Sequence, residues 1–200
     1  STENLSELVN AMREKSYAVG TINRVLVILR YLFNLARKWK VIGPIDNPAS
    51  GLSAGPDVQR TRFLDEEEVK RLIASLAVDE NRTAAKAILL LLLTGARRNE
   101  VTFARWEYVD FGRRTLLVPL SKSGKPRLIS LSGPAITLLE RMPRSPGIPY
   151  IFPWPVTGQP SPSLFFPWDR IRKRARLADV RLHDLRHSFA SILVNRGVSL

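Results

Sequence analysis

The sequence has no cysteine and only two histidines among its 200 residues. The lack of cysteine excludes disulfide bonds and thiolate metal sites, and the two histidines, His183 and His187, are too few for a site of several imidazoles. We therefore expect no metal and no cofactor. The longest apolar run, residues 87–93, is too short to cross a bilayer, and the amino end has no secretion pattern. These absences predict an intracellular, cytoplasmic protein without a membrane partner.

Acidic residues are also scarce, because 18 Asp and Glu face 31 Lys and Arg and leave a formal charge of +13. Such an excess predicts a polyanionic partner, with nucleic acid ahead of an anionic membrane surface. The 44% apolar content is that of a globular protein. The length allows one large domain or two smaller ones.

The first part of the chain, residues 1–50, is predicted to be helical, with helices over 3–14 and 17–39 and Ser16 as the cap of the second. An apolar stripe at helical spacing predicts the buried face of the second helix: Ile22, Val25, Leu26, Leu29, Leu32, Phe33 and Ala36. The opposite face carries side chains that can bond DNA phosphates or base edges, with an ordinary solvated face as the alternative: Asn23, Arg30, Asn34 and Arg37. Residues 51–62 have the Gly, Ser and Pro content of an interdomain linker.

Residues 63–200 begin with a helix that Asp65 caps and whose first turn is acidic. A carboxylate metal site is the weaker interpretation of Glu66 to Glu68, since consecutive helical residues point in different directions. An almost wholly apolar helix over 83–93 ends at Gly95 and leads to Arg97, which can pair with Glu100 three residues later. Because Arg97 follows a buried helix through a tight turn, it is mounted as a preorganised anion ligand would be.

Two β-prone runs, residues 115–120 and 127–131, predict a hairpin whose tip carries Lys122 and Lys125. Lysines at a hairpin tip also serve solubility, and the full phosphate-loop pattern is absent. A helix over 163–177 follows, with a basic face that includes Arg172 and Arg174. We predict that this face contacts phosphates, with nuclear targeting or plain solvation as alternatives. The fold class predicted for the whole chain is mainly α with a small antiparallel sheet.

The stretch Arg181 to Ala190 places His183 and Arg186 three residues apart on a predicted helix. Leu182, Leu185 and Phe189 share another face, which would be buried. A titratable imidazole beside a permanent cation can bind a phosphate and manage a proton. The alternative is a surface helix with a capped histidine.

Together these segments resemble the tyrosine recombinases, or phage integrases. Thr94 to Glu100 looks like the family's box with the first catalytic arginine, and Ser121 to Arg127 looks like its hairpin with the catalytic lysine. His183 to Ala190 is similar to its His-x-x-Arg box, and residues 20–48 look like the latter part of its core-binding domain. The three boxes occur in the family's order. The resemblance thus implies a partial helical core-binding domain (1–50), a linker (51–62) and a catalytic domain (63–200).

The reaction that the resemblance implies is site-specific recombination through a 3′-phosphotyrosine on double-stranded DNA, by a homotetramer on paired sites. Arg97 and Arg186 match the residues that hold the non-bridging oxygens, and Lys122 matches the general acid, with Lys125 as its rival. His183 would accept or share the nucleophile's proton, and Glu100 would orient Arg97 or a neighbouring residue. Neither a metal nor ATP is implied.

The attacking tyrosine of the family follows the second arginine, whereas all four tyrosines here precede it: Tyr17, Tyr31, Tyr108 and Tyr150. We assign none of them as nucleophile and expect a chain truncated at both ends, which binds DNA without cutting it. Three alternatives remain. The chain can be a non-catalytic DNA-binding protein on the same scaffold, a type IB topoisomerase, or a basic helical domain without a site.

Overall fold

The computed structural model describes residues 1–43, 45–57, 61–120, 124–161 and 163–195. The chain divides into two compact units, Ser1–Arg60 and Thr61–Leu200. The described residues form helices and one small antiparallel sheet, so the predicted fold class, mainly α with a small sheet, is confirmed.

The first unit contains helices α1 (Thr2–Glu14) and α2 (Val19–Lys38). The prediction that Ser16 caps α2 is wrong. Ser16 adopts a left-handed conformation with φ of 57°, and Ala18 occupies the cap position. The buried stripe is narrower than predicted. Ile22 and Leu26 are buried with Val9 and Ala54, whereas Leu32 is 51% exposed.

Two of the polar side chains on the other face of α2 bind the loop of residues 47–55. Asn23 donates to Gly55 O at 2.9 Å and accepts from the Ala54 amide at 2.8 Å. Arg30 donates to Ala49 O and Leu52 O, each at 3.2 Å. These groups thus satisfy carbonyls and an amide of their own unit, and the interpretation of Asn23 and Arg30 as DNA contacts stays a prediction. Asn34 accepts from Asn47 at 2.9 Å and stays exposed, as does Arg37.

By length and composition, helix α2 is long and apolar enough to cross a bilayer. The expectation from the sequence rested on the longest uninterrupted apolar run alone, residues 87–93, which lies in α4 (Arg82–Thr94). Core helices of soluble proteins share the length and composition of α2. The contacts of Asn23 and Arg30 with the loop of residues 47–55 are those of a helix packed in a folded unit.

The second unit begins with α3 (Glu66–Ala77) and α4 (Arg82–Thr94). The Glu68 amide donates to Asp65 at 2.8 Å, as the predicted cap requires, and the Glu68 carboxylate accepts from the Arg62 guanidinium at 2.6 Å. Helix α4 runs through the centre of the core, where Ile88 and Leu90 are fully buried. Its apolar surface is packed by α3 and by three later helices, α6 (Gly133–Glu140), α7 (Phe165–Arg174) and α8 (Asp184–Asn195), which explains why nearly every side of α4 is apolar.

A short helix, α5 (Arg98–Thr102), and a single 3₁₀ turn (Trp106–Tyr108) lead from the core to the sheet. The sheet has three antiparallel strands in sequential order, β1 (Val109–Asp110), β2 (Thr115–Val118) and β3 (Arg127–Ser130). Strands β2 and β3 form the predicted hairpin with Val118 opposite Arg127. Strand β1 was not predicted, because two residues are too few to show an alternating pattern.

Helices α6 (Gly133–Glu140), α7 (Phe165–Arg174) and α8 (Asp184–Asn195) complete the unit. An ion-pair cluster joins α7 to the turn between α3 and α4. The fully buried Asp79 carboxylate accepts two hydrogen bonds from Arg170, at 2.7 and 3.0 Å, and lies 3.4 Å from Arg174. The Arg170 guanidinium holds the pKa of Asp79 below its usual range.

We expect Asp79→Ala to lower the free energy of unfolding by about 2 kcal/mol, because it removes charged hydrogen bonds to Arg170, Arg174 and the Asn81 amide. Urea unfolding followed by circular dichroism measures the change. The control is Glu67→Ala, which removes an exposed pair with Lys70 and should change the free energy by less than about 0.5 kcal/mol. Equal effects of the two substitutions would contradict a structural role for the buried cluster.

Candidate active site

Arg97 lies at the amino end of α5, immediately after the turn that closes α4. Gly95 adopts φ of 60° and donates to Leu91 O at 2.9 Å, which reverses the chain within two residues. The Arg97 amide then donates to Glu100 Oε2 at 2.8 Å, and its guanidinium Nη1 donates to Oε1 at 2.9 Å. The turn and the carboxylate together fix the start of the Arg97 side chain.

Sequence analysis missed a second guanidinium on Glu100, that of Arg127 at the start of β3. Arg127 Nη2 donates to Oε2 at 2.6 Å and Nε donates to Oε1 at 3.1 Å, a two-pronged pair. Only its place directly after the lysine hairpin could have suggested this contact, because residues 100 and 127 are joined by the fold alone.

Glu100 is ionised despite being almost fully buried. Burial by itself raises the pKa of the carboxyl, but hydrogen bonds from Arg127 and Arg97 outweigh it and lower the pKa to about 2. Because this folded-state pKa is depressed, the stabilisation is complete above about pH 4.5 and is lost as the pH falls toward 2.

In acid we therefore expect wild-type protein to lose on the order of 3 kcal/mol of stability through Glu100 alone between pH 4.5 and 2. In Glu100→Gln that part of the pH dependence should vanish, while the other carboxylates titrate as before. Urea unfolding of both proteins at several pH values across this range provides the comparison. Parallel stability curves for the two proteins would show that Glu100 has no depressed pKa.

Arg186 approaches the same place from α8. This helix begins at Asp184, one residue after His183, so His183 lies in the preceding turn rather than on the predicted helix. Asp184 accepts from the Arg181 amide at 2.8 Å, which ties the first residue of α8 to the preceding turn. The Arg186 guanidinium donates to Gly95 O, two residues before Arg97. Burial and the positive charges of Arg97 and Arg127 lower the pKa of Arg186, which places the three guanidiniums within electrostatic reach of one another.

The contact of α8 with α4 depends on Gly95. A Cβ atom at this position would overlap the Phe189 ring, with Cγ at 3.0 Å. Ser188, one turn after Asp184, accepts from the Leu64 amide at 2.9 Å and donates to Asp184 O at 2.8 Å. These two contacts fix α8 in the position from which Arg186 reaches the Gly95 carbonyl.

Two cavities meet at His183. The larger, of about 800 Å³, is lined by Arg97 and His183 and by the aromatic side chains Tyr108 and Tyr150. The smaller, of about 290 Å³, is lined by His183, Arg186 and Arg98. The structure therefore brings together four of the predicted site residues: Arg97, Glu100, His183 and Arg186.

One wall of the larger cavity holds an aromatic pair around a cation that sequence analysis did not single out. The Arg105 guanidinium carbon lies 5.3 Å from the Tyr150 ring centre and 5.9 Å from that of Tyr108. The larger cavity is thus lined by a cationic side chain at Arg97 and by aromatic rings at this wall.

The His183 imidazole has a pKa below its ordinary value of 6.5, first through burial and then through the positive charges of His187 and Arg186. The His187 ring lies edge-on to it, with 5.4 Å between ring centres. His183 is therefore neutral at pH 7 and has a nitrogen that can accept a proton.

The remaining predicted site residues are not among these four. Lys122 falls outside the described residues, while its rival Lys125 is exposed. The interpretation of Arg172 and Arg174 as DNA contacts stays a prediction. Arg172 pairs with Asp169 of its own helix at 2.6 Å and donates to Ala178 O just after that helix, whereas Arg174 joins α7 to α3 by donating to Ser75 O at 3.2 Å. Within the described ranges no cluster of His, Asp and Glu is arranged for a metal ion.

Comparison with known proteins gives a consistent result. Residues 62–200 match the model of the phage integrase family. The chain is 29% identical over 198 residues to the tyrosine recombinase XerA of Pyrococcus furiosus, covering 94% of this chain and 65% of that protein. It is also 29% identical over 203 residues to the integrase of Salmonella phage P22, covering 94% of this chain and 50% of the integrase. The chain thus spans about half to two thirds of these relatives.

Solved structures share the fold. The integrase of the Tn1549 transposon in complex with circular intermediate DNA superposes with a TM-score of 0.76 at 20% identity, over 100% of this chain and 74% of that one. A lambda integrase tetramer bound to a Holliday junction gives a TM-score of 0.76 at 16% identity, over 100% of this chain and 61% of that one.

Proposed function

The chain belongs to the phage integrase family, and we propose that it is the part of a site-specific DNA recombinase that binds DNA and activates one phosphodiester for strand exchange. Its proposed substrate is double-stranded DNA, to which a net charge of +13 is suited. The proposed domains are a partial core-binding domain (1–50), a linker (51–62) and a catalytic domain (63–200).

The observation that carries the proposal is the approach of Arg97 and Arg186 to one point. The hydrogen bond from Arg186 to Gly95 O joins segments that are 91 residues apart in sequence, and Arg97 follows Gly95 by two residues. His183 lines the cavities on both sides of this point. A structural salt-bridge network would pair each guanidinium with a carboxylate, whereas here a single carboxylate, Glu100, serves Arg97 and Arg127.

Such a site fits a phosphodiester in its transition state. Negative charge then develops on the two non-bridging oxygens, and guanidiniums held in place before the reaction stabilise it. The planar fork of each arginine can bond two oxygens of one phosphate. We propose Arg97 and Arg186 as these ligands and Glu100 as the residue that orients Arg97.

Two proton transfers accompany the exchange of one ester for another. The attacking hydroxyl loses a proton, which the neutral His183 can accept or share, and the leaving 5′ oxygen gains one, for which we propose the Lys122 ammonium. The nucleophile of the family is a tyrosine, and Tyr17, Tyr31, Tyr108 and Tyr150 all precede the His183–Arg186 box, so none of them is proposed for it.

His183 should titrate with a midpoint below 6.5 in the DNA-free chain, because burial and the neighbouring cations oppose its positive form. Because the pKa of His183 is lower in the folded state, protonation of His183 opposes folding. The free energy of unfolding should therefore decrease as the pH falls below 6.5. Imidazole NMR signals measure the midpoint, and His187→Gln identifies which of the two signals belongs to His183. A midpoint above 6.5 would contradict a neutral proton acceptor.

We further infer a cytoplasmic, nucleoid-associated protein that acts as a homotetramer on two paired DNA sites. The lambda integrase tetramer on a Holliday junction, which shares the fold, supports this assembly by similarity. Two duplexes must be present for strands to be exchanged between them, which favours an assembly of several subunits.

The test of the proposed function is covalent attachment to DNA by the protein expressed from its full reading frame. Duplex DNA that carries the recombination site is incubated in EDTA, since guanidiniums and a lysine supply the charge that a metal ion otherwise provides. We expect an adduct joined through the 3′ phosphate, with a free 5′ hydroxyl on the other strand end. Binding without any adduct would favour a non-catalytic DNA-binding protein, and relaxation of supercoils without site preference would favour a topoisomerase.

A further inference from the structure

Every acceptor position of the Glu100 carboxylate is occupied. Oε1 accepts from Arg97 Nη1 at 2.9 Å and Arg127 Nε at 3.1 Å, and Oε2 accepts from the Arg97 amide at 2.8 Å and Arg127 Nη2 at 2.6 Å. A carboxylate offers about four such positions. With its side chain only 6% exposed, Glu100 is closed to further donors.

The Arg97 guanidinium, in contrast, is mostly unoccupied. Among the described residues its side chain makes one hydrogen bond, that from Nη1 to Glu100, and the side chain is 39% exposed toward the larger cavity. Its Nε and Nη2 groups therefore remain open to a ligand. A phosphate that binds two donors of one guanidinium needs such a free pair.

We propose that Arg127 is a positioning residue that keeps the Arg97 fork open for a phosphate oxygen by occupying the Glu100 carboxylate. This inference rests on the proposed function of the site. Without Arg127, two acceptor positions of a buried carboxylate would lose their partners, which is costly in a site of low dielectric. Arg97 is the cation next to Glu100, so it would turn a second nitrogen onto the carboxylate and withdraw its fork from the cavity.

The same bond ties the lysine hairpin to the arginine box. Arg127 is the first residue of β3 and lies opposite Val118, the last residue of β2, so its guanidinium fastens the base of the hairpin to α5 through Glu100. One side chain thus sets both the availability of Arg97 and the position of the hairpin from which Lys122 is proposed to act.

A purely structural role for Arg127 makes a different prediction about phosphate binding. If Arg127 only stabilised the fold, a folded Arg127→Gln protein would bind phosphate as wild type does, and Glu100→Gln would have no binding defect to relieve. If Arg127 competes with Arg97 for Glu100, the amide in Glu100→Gln, a weaker acceptor without charge, releases Arg97 and restores part of the phosphate binding. The two roles therefore predict different outcomes for the same variants.

The experiment titrates the 200-residue chain with inorganic phosphate and follows the arginine Nε–Hε NMR signals. We expect Arg127→Gln to weaken phosphate binding by about tenfold and Arg127→Lys by about threefold, because a lysine keeps the charge but satisfies fewer acceptor positions. The double variant Arg127→Gln/Glu100→Gln should bind phosphate more tightly than Arg127→Gln and recover part of the loss, because the amide holds Arg97 less tightly than the carboxylate does. The matched control is Arg113→Gln, which removes a charge from a side chain that is 87% exposed, and it should bind phosphate as wild type does.

The inference is overturned if Arg127→Lys binds phosphate as tightly as wild type, or if the double variant binds no better than Arg127→Gln. Thermal unfolding shows whether each variant is folded. If Arg127→Gln does not fold, phosphate binding by Arg127→Lys alone decides whether Arg127 positions Arg97. Arg97→Ala and Arg186→Ala separate this result from the proposed function. If neither weakens phosphate binding, the proposed phosphate site itself is wrong; if both weaken it and Arg127→Lys does not, only the role of Arg127 fails.

Discussion

Replacement of Arg186 by alanine, in the protein expressed from the full reading frame, should slow covalent attachment to DNA by about a hundredfold to a thousandfold. The Gly95 carbonyl holds the Arg186 guanidinium near Arg97, so on the proposed function the two arginines would bind the same phosphate without further rearrangement. Arg186→Lys should recover only part of the rate, because an ammonium presents a point charge in place of a planar fork. Single-turnover rates of adduct formation measure both effects.

Stability distinguishes this effect from damage to the fold. Burial and the charges of Arg97 and Arg127 lower the pKa of Arg186, so the DNA-free site holds like charges close together. Loss of one hydrogen bond to Gly95 O is offset by relief of this repulsion, and Arg186→Ala should change the free energy of unfolding by less than about 1 kcal/mol. An Arg186→Ala protein that unfolds several kcal/mol more easily would assign the residue a structural role instead.

The second large effect is expected at Gly95, where alanine should lower the free energy of unfolding by about 3 kcal/mol. A left-handed conformation with φ of 60° costs a non-glycine residue about 1 kcal/mol, and overlap with the Phe189 ring adds a packing cost of about 2 kcal/mol. Because α8 would have to move away from α4, Arg186 would leave the Gly95 carbonyl. We therefore expect phosphate binding to weaken together with stability.

Two other glycines separate these causes. Gly147 has φ of 76° with open space around its Cβ position, so Gly147→Ala should show the backbone cost alone, about 1 kcal/mol. Gly133 has neither a positive φ nor a close neighbour, and Gly133→Ala should be neutral or slightly stabilising. If Gly95→Ala matched Gly147→Ala, the contact with Phe189 would have no energetic weight. Recovery of the additional loss in Gly95→Ala/Phe189→Leu would confirm that the ring causes it.

The predictions that held were those in which a local rule decides the outcome. The Asp65 cap, the central apolar helix and the β2–β3 hairpin follow from short-range chemistry, and each is present near its predicted bounds. Ser16 failed as a cap because the preceding turn placed it in a left-handed conformation, which no short-range pattern showed.

Basic and polar side chains on helix faces were harder to interpret. Arg30, Arg172 and Arg174 have the residue type and spacing of a DNA-facing row, but each donates to backbone carbonyls of its own unit. The sequence pattern of one helix does not show whether a basic side chain binds a phosphate or donates to a loop. The position of the loop is set by tertiary contacts, which that pattern does not contain. The pairing of Arg127 with Glu100 was missed for the same reason.

The most direct test of a shared phosphate site is a double-mutant cycle on the rate of covalent attachment to DNA. Single-turnover rates are measured for wild type, Arg97→Lys, Arg186→Lys and the double variant, all from the full reading frame. If both arginines bind one phosphate, each single substitution slows the reaction strongly, and the double variant is slowed by much less than the product of the two effects. Attachment at the wild-type rate in either single variant would contradict the account.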